Sequence, residues 1–479
     1  MSSHSSNTRP KPDKVLTDIA DYVTKYKIKG REAYNAARLS LIDTLGCGFQ
    51  SLSNPACIKL MGPIVPGTIV PNGAKVPGTQ FQLDPVTAAF NIGCTTRWLD
   101  FNDTWPAREG SHPSDNFAGI LAAADWQSRR LVAERKKPLL IRDVLTAIIK
   151  AYEIQGVIAL ENRFFSLGID HVVLVKVASS AVVTQLLGGT HEEIVNAVSN
   201  AWIDGHPLRT YRQGSNTGSR KSWAAGDATS RGVRLALMAL RGEMGYPSAL
   251  TAKTWGFYDA VFKGEPFKFK KPYGTFVVEN VRFKLTPTEF NTQTAAECAG
   301  RLHSTIKDRI DTIKKIVITS QEPAMRVCDK KGPLNNPADR DHCIQYIVAV
   351  SLLKGNITSE DYEDEAAADP RIDRLRAKTV CVENKQWSLD YLDPDKRSNA
   401  NAVQVFFEDG TKTKRVAIED PIGHPRRRKE GIPLVKAKFR TNVGLRFPEK
   451  QCQKIIALCE DQRRLEATPV NEFVDLMVI

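Results

Sequence analysis

The hydrophobic spacing of this chain changes once, near residue 280, and that change limits the folds open to it. From about residue 14 to 260 apolar residues recur at three- and four-residue intervals, as in 141–152, where Ile141, Val144, Leu145, Ile148, Ile149 and Tyr152 share one helical face. After about 280, KKIVITS (314–320) and TVCVEN (379–384) read as short strands rich in β-branched residues. VQVFFEDGTKTKRVAI (403–418) reads as a hairpin turning at Asp409-Gly410, with Val403, Val405 and Phe407 facing Val416 and Ile418. Residues 448–465, PEKQCQKIIALCEDQRRL, return to helical spacing. The expected fold is therefore mainly α with an α+β part: a large all-helical domain at 14–279, a smaller α+β domain inserted late in the chain at 280–431, and a helical segment, 432–479, returning to the first domain. Residues 1–13, MSSHSSNTRPKPD, have no apolar periodicity and are expected to form a disordered tail.

Bulk properties exclude several function classes. A chain of 479 residues exceeds one ordinary core, which agrees with two domains. The nine cysteines include no C-x-x-C pair, and the eight histidines are not paired at helical ligand spacing, so no metal and no cofactor is expected. The longest apolar run, 171–187, is broken by Lys176 and stopped by Gly188-Gly189, so no membrane span is expected. Net charge is +13, but the densest basic run, PRRRKEG (425–431), carries no aromatic residues for stacking bases and reads as a solvated loop, so no nucleic-acid partner is expected. Free thiols, and a first stretch with neither an apolar signal nor an Arg-rich amphipathic face, point to the cytoplasm, with the mitochondrial matrix as the alternative.

Local signals mark the helix ends. Thr190 and Glu193 form a capping box, Gly188-Gly189 closes the preceding helix, and Asp227 is a candidate cap for ATSRGVRLALMAL. The stretch 213–232, QGSNTGSRKSWAAGDATSRG, lacks Walker A spacing, since two residues separate Gly218 from Lys221. It reads as a turn entering a helix, with Arg209, Arg212, Arg220, Lys221 and Arg231 available to hold a carboxylate or phosphate. The plain alternative is a solvated basic loop.

The densest collection of chemistry is RWLDFNDTWPAREGSHPSDN (97–116). Read as helix, it places Asp100, Asp103 and Thr104 on one polar wall, where two carboxylates would raise one another's pKa. Pro106 and Gly110 then break the helix, and the turn at 111–115 can point His112 back at the acids. The plain alternative is an ordinary helix with a capped loop.

RWLDFNDTW followed by HPSDN resembles the MmgE/PrpD family, and the likeness extends along the chain. The blocks 152–181, 216–237, 242–259, ENVRFKL (279–285) and NPADRDHCIQYIVAV (336–350) resemble that family's blocks in the same order. The resemblance implies a helical domain, an α+β lid and a homodimer. It also implies removal of water from 2-methylcitrate or a related 2-alkylcitrate to give an alkyl-substituted cis-aconitate. RKSWAAGDA favours this dehydratase branch over a cis-aconitate decarboxylase-like lyase; a non-catalytic, polyanion-binding member is the third alternative. Dehydration needs an acid and a base, and cations to hold carboxylates while enolate-like charge develops. By resemblance the catalytic set is His112 as acid/base, Asp100 as its orienting partner, and Lys221 with Lys284 as carboxylate clamps. Thr104, His171, Arg220 and Tyr346 join as substrate-binding residues.

One position departs from the family. Its dehydratases typically read P-A-E-F-H-A-Q-T-A where this chain has PTEFNTQTA (287–295), so Asn291 replaces a histidine. An amide cannot transfer a proton as an imidazole can. Either the substrate preference differs, or Asn291 keeps only a substrate-contacting or structural role.

Overall fold

A computed structural model describes residues 8–203, 205–393 and 395–479. Most of the expected tail, residues 1–7, lies outside the described residues. The remainder of the tail is tied down: Arg9 Nη2 donates to the Gly245 carbonyl at 2.6 Å, and Asp13 Oδ2 accepts from Leu250 N at 2.7 Å. Asp13 is buried, so the disorder expected of 1–13 does not reach it.

The first half of the chain is built around the helix Val172–Leu186, whose residues from Val172 to Thr184 are all buried. A helix apolar on every side has to be enclosed. It is enclosed by Ile141–Glu161, His191–Ile203 and Arg220–Ala239, which pack against it. The capping box forms as the sequence indicates, with Thr190 N donating to Glu193 Oε2 at 2.6 Å and Glu193 N to Thr190 Oγ1 at 3.3 Å.

Asp227 does not cap a helix. Arg220–Ala239 begins seven residues earlier, and the Asp227 carboxylate is taken by Arg231 Nε at 3.2 Å, one turn on. The early start puts Lys221 in the first turn of this helix. Pro85–Arg97 crosses the same helix at two glycines, where a Cβ on Gly93 would lie 2.4 Å from Gly226 Cα. Only glycine permits this approach. It brings Arg97, at the end of one helix, beside Lys221, at the start of the other.

Later strands form a mixed sheet in the order Thr379–Glu383, Ile313–Ser320, Asn401–Phe407, Val416–Ile418. The first pair is parallel and the others antiparallel, and the hairpin closes with Val403 opposite Val416 and Gly410 at φ +86°. Helices Gln293–Ile306 and Ile344–Lys354 cover this sheet in a separate apolar cluster that includes Ile316, Ile347 and Val405. The chain then goes back: Val435, Phe439, Ile455 and Cys459 are buried in the same cluster as Leu16, Ile42 and Val177.

The basic run 425–431 is not a solvated loop. It starts the helix Arg428–Gly444, with Arg427 paired to Glu297 at 3.0 Å and Arg428 Nη2 donating to the Val281 carbonyl at 2.5 Å. Its guanidinium groups find partners because the segment lies where the two clusters meet. All nine cysteines are free thiols. Among the described residues no helix is long and apolar enough to cross a membrane.

Candidate active site

Residues 98–112 are not helical. The helix stops at Arg97, and Asp100 adopts φ +49°, a left-handed conformation that few non-glycine residues tolerate and that Asp tolerates better than most. The chain bends again at Asn102 and is then held on both sides. Thr104 N and O bond Arg282 O and N at 2.8 and 2.9 Å, and Trp105 N and O bond Ser111 O and N at 2.8 and 3.2 Å. The first pairing draws Lys284 toward Asp100. The second folds His112 back toward Asp103.

The Asp100 carboxylate lies among three cations. Arg97 Nη1 is 2.6 Å from Oδ1, Lys284 Nζ 2.5 Å from Oδ1, and Lys221 Nζ 3.5 Å from Oδ2. Burial alone would raise its pKa, but the charges of Arg97, Lys284 and Lys221 outweigh it and hold the carboxyl well below the usual range. Asp100 is thus a fixed negative charge and not a base near neutral pH.

His112 keeps one ring nitrogen free to accept a proton. Its Nδ1 lies 2.6 Å from the Asp103 carbonyl, and a carbonyl only accepts, so Nδ1 carries the proton and Nε2 keeps its lone pair. Nε2 sits 4.0 Å from Asp100 Oδ1. Burial, with the nearby charges of Arg97 and Lys284, pushes the imidazole pKa well below 6.5 against the opposing pull of Asp100. The ring is therefore neutral at physiological pH.

Asp103 does not share a wall with Asp100. Its Oδ1 accepts from Ser114 Oγ at 2.6 Å and its Oδ2 from Tyr152 OH at 2.7 Å, so it braces the turn. Its pKa is raised to about 7 by burial, against the hydrogen bonds from Ser114 and Tyr152. The expected mutual effect of two adjacent carboxylates is replaced by opposite shifts from different surroundings. The turn after Arg97, with Asp100 left-handed and a bend at Asn102, causes this by taking the two side chains to different partners.

A second acid comes from the α+β part. Asp341 Oδ2 accepts from Lys221 Nζ at 2.5 Å, and its Oδ1 meets His342 Nδ1. Burial raises the Asp341 pKa less than Lys221 and His342 lower it, so it too stays ionised. A cavity of about 340 Å³ opens here, between Trp98, Leu99 and Lys221 on one side and Pro337, Asp341 and Tyr362 on the other. That volume is in the range of small-molecule sites. A larger cleft of about 470 Å³, at Tyr22, Tyr26 and Tyr273, contains none of the candidate residues. Asp100, Asp341 and His342 offer ligand atoms within 4.8 Å of one another, a set that could hold a cation. The Lys221 ammonium already contacts both of those carboxylates and would compete with a cation there.

Residues 17–270 match the MmgE/PrpD N-terminal domain and residues 287–462 match the MmgE/PrpD C-terminal domain. The chain belongs to the MmgE/PrpD family. It is 63% identical over 99% of both chains to a protein of Cupriavidus necator named 2-methylcitrate dehydratase. It is 59% identical to the 2-methylcitrate dehydratase of Escherichia coli K12, over the full length of both. It is 54% identical to the Yarrowia lipolytica protein named 2-methylcitrate dehydratase, mitochondrial, over 98% of this chain and 91% of that one.

Within this family member, the candidate residues divide into those that meet and those that do not. Asp100, His112, Lys221 and Lys284 form one buried cluster. His171 stands beside it, its ring centroid 5.6 Å from that of His112, with Nδ1 at 3.2 Å from Asp170 and Nε2 at 3.7 Å from Asp115. Thr104 contributes through its backbone bridge to Arg282. Arg220 points away: its guanidinium stacks on Trp223 at 4.2 Å and meets Asp227 at 3.5 Å. Tyr346 lies in the second apolar cluster, its OH donating to the Asp361 carbonyl at 2.5 Å. Asn291 Nδ2 bonds Glu289 Oε1 at 3.0 Å, and Glu289 N in turn bonds the Asp341 carbonyl at 3.0 Å. Arg97, Asp341 and His342 were missed by sequence reasoning, although Arg97 opens the RWLD stretch and Asp341-His342 lies within NPADRDHC.

Proposed function

We propose that this chain is a carbon–oxygen lyase that removes water from 2-methylcitrate or a related 2-alkylcitrate, giving an alkyl-substituted cis-aconitate. The observation that carries the reading is a neutral imidazole of fixed tautomer, His112, facing a permanently ionised Asp100, which contacts Lys221 in the lining of the cavity of about 340 Å³. The names of the full-length relatives give the substrate class.

In this mechanism Lys221 holds a substrate carboxylate, and Nε2 of His112 takes the proton from the carbon next to a carboxylate. The electron pair of that C–H bond becomes the double bond as the C–O bond breaks. The imidazolium, stabilised by Asp100, returns its proton to the departing hydroxyl, and water leaves. Lys284, committed to Asp100, sets the field at His112 instead of contacting substrate. The chemistry is proposed to need no metal or cofactor. A homodimer in the cytoplasm is the assembly and compartment we assign, with the mitochondrial matrix as the alternative, the Yarrowia relative being named mitochondrial.

The test is incubation of purified protein with citrate, 2-methylcitrate and longer 2-alkylcitrates, with and without a chelator, following absorbance of the conjugated product. Turnover of at least one 2-alkylcitrate that survives chelation is expected. Carbon dioxide release from cis-aconitate without dehydration, or no turnover of any member, would refute the reading.

A further inference from the structure

We infer that Lys438, far along the chain from the reacting cluster, is a positioning residue that sets Asp100 and Lys284 against each other. An ammonium has three N–H bonds to give. Lys438 Nζ gives them to three acceptors: Asp43 Oδ1 at 2.8 Å, the Phe101 carbonyl at 2.7 Å and the Lys284 carbonyl at 3.0 Å. One carbonyl belongs to the residue after Asp100 and the other to Lys284 itself. A single nitrogen thus fixes the backbone of both residues whose side chains form the 2.5 Å pair.

The surroundings agree with this role. The Lys438 ammonium lies 3.6 Å from the Phe101 ring centroid, adding a cation–π contact to the same residue whose carbonyl it holds. Asp100, in its left-handed conformation, is fastened from two directions: Lys284 Nζ donates to its carbonyl at 2.8 Å, and Lys438 holds the next carbonyl. Strained backbone persists only when its surroundings over-determine it. Asp43 is fully buried on Glu32–Ser51, against which Arg428–Gly444 packs, so the pair also anchors the returning C-terminal helix. Burial would lower the Lys438 pKa, but Asp43 and Cys47 together more than offset it, so the three-donor form persists. Balancing Asp43 alone would need one hydrogen bond. The other two go to the two segments that carry the site.

The test rests on the dehydratase reading only for its substrate assay. Lys438→Met, the double variant Asp43→Asn/Lys438→Met, and Lys438→Arg are compared with the wild-type chain for thermal unfolding and for turnover of the 2-alkylcitrate that the wild type uses. The double variant removes the buried charge pair as a unit and leaves no lone carboxylate. It is expected to unfold cooperatively yet to lose roughly 10²-fold in kcat, the order of loss from a small misplacement of reacting groups. The acid limb of its kcat/KM profile should move as well, because Asp100 and Lys284 no longer keep their places beside His112. A double variant with wild-type kcat and pH profile overturns the inference. Should neither Met variant unfold cooperatively, Lys438→Arg decides. Its planar fork cannot direct three donors from one point, so a loss of kcat is expected and wild-type turnover overturns the role. If the wild type turns over no 2-alkylcitrate, the dehydratase reading alone has failed. The crystal structure of the double variant then judges Lys438: Lys284 displaced from Asp100 supports the positioning role, and Lys284 Nζ still on Asp100 overturns it.

Discussion

Lys284 Nζ lies 2.5 Å from Asp100 Oδ1 and 2.8 Å from the Asp100 carbonyl, a contact made across 184 residues of chain. Both side chains are buried; without Lys284, Asp100 would keep Arg97 and Lys221, whereas without Asp100 the Lys284 ammonium would lose the carboxylate it is paired with. Asp100→Asn should destabilise the protein by about 3–5 kcal/mol, the usual cost of breaking a buried ion pair from one side, because it leaves the Lys284 ammonium buried and unpaired. Asp100→Asn combined with Lys284→Met should recover part of that loss while remaining inactive. Urea unfolding of the two variants checks this; a single variant as stable as the wild type contradicts it.

His112→Gln should lower kcat roughly 10²- to 10⁴-fold, the contribution of a positioned acid/base, with little change in KM. The imidazole is held neutral well below its ordinary 6.5. Its acid limb in kcat/KM should therefore fall below pH 6.5, not at it. A His112→Gln protein with near-wild-type turnover, or an acid limb centred above 6.5 that the substitution removes, excludes His112 as the base.

Asp103 gives a pH effect of the opposite sign. Its folded pKa, about 7, is above the ordinary 3.8, so the folded state binds the proton more tightly. That stability is complete below pH 3.8 and is lost as pH rises through 7. The margin in Tm between wild type and Asp103→Asn should accordingly be larger at pH 5 than at pH 8. A constant or inverted margin would show that Asp103 is ionised throughout.

Asn291 bonds Glu289 and makes no hydrogen bond to Asp100, His112 or Lys221. We propose a supporting role for it, through Glu289 and the Asp341 backbone. Asn291→His is expected to leave the ranking of 2-alkylcitrates unchanged. A gain in kcat confined to 2-methylcitrate would restore the alternative, that this position tunes the substrate preference.

The sequence by itself determined the architecture and singled out Asp100, His112, Lys221 and Lys284, which the fold brings into one cluster. Periodicity is local, so the helical core, the hairpin at Asp409-Gly410 and the capping box at Thr190 could be read directly from residue spacing. Which charges meet could not be read that way. Asp103 seemed to belong with Asp100 because they are three apart, a rule valid only in a helix, but the helix ends at Arg97, the chain turns through Asp100, and Thr104 and Trp105 pair with Arg282 and Ser111. Arg220, next to Lys221, was a further substrate-binding candidate, yet helix geometry turns the two about 100° apart, sending one into the cluster and the other onto Trp223. Asp341, His342 and Lys438 reach the site from segments more than a hundred residues away from Asp100, by contacts that no local spacing encodes. Ionisation followed the same division, because the pKa of a buried carboxylate depends on which cations the tertiary fold sets beside it: three for Asp100, and for Asp103 only hydroxyls and a backbone N–H.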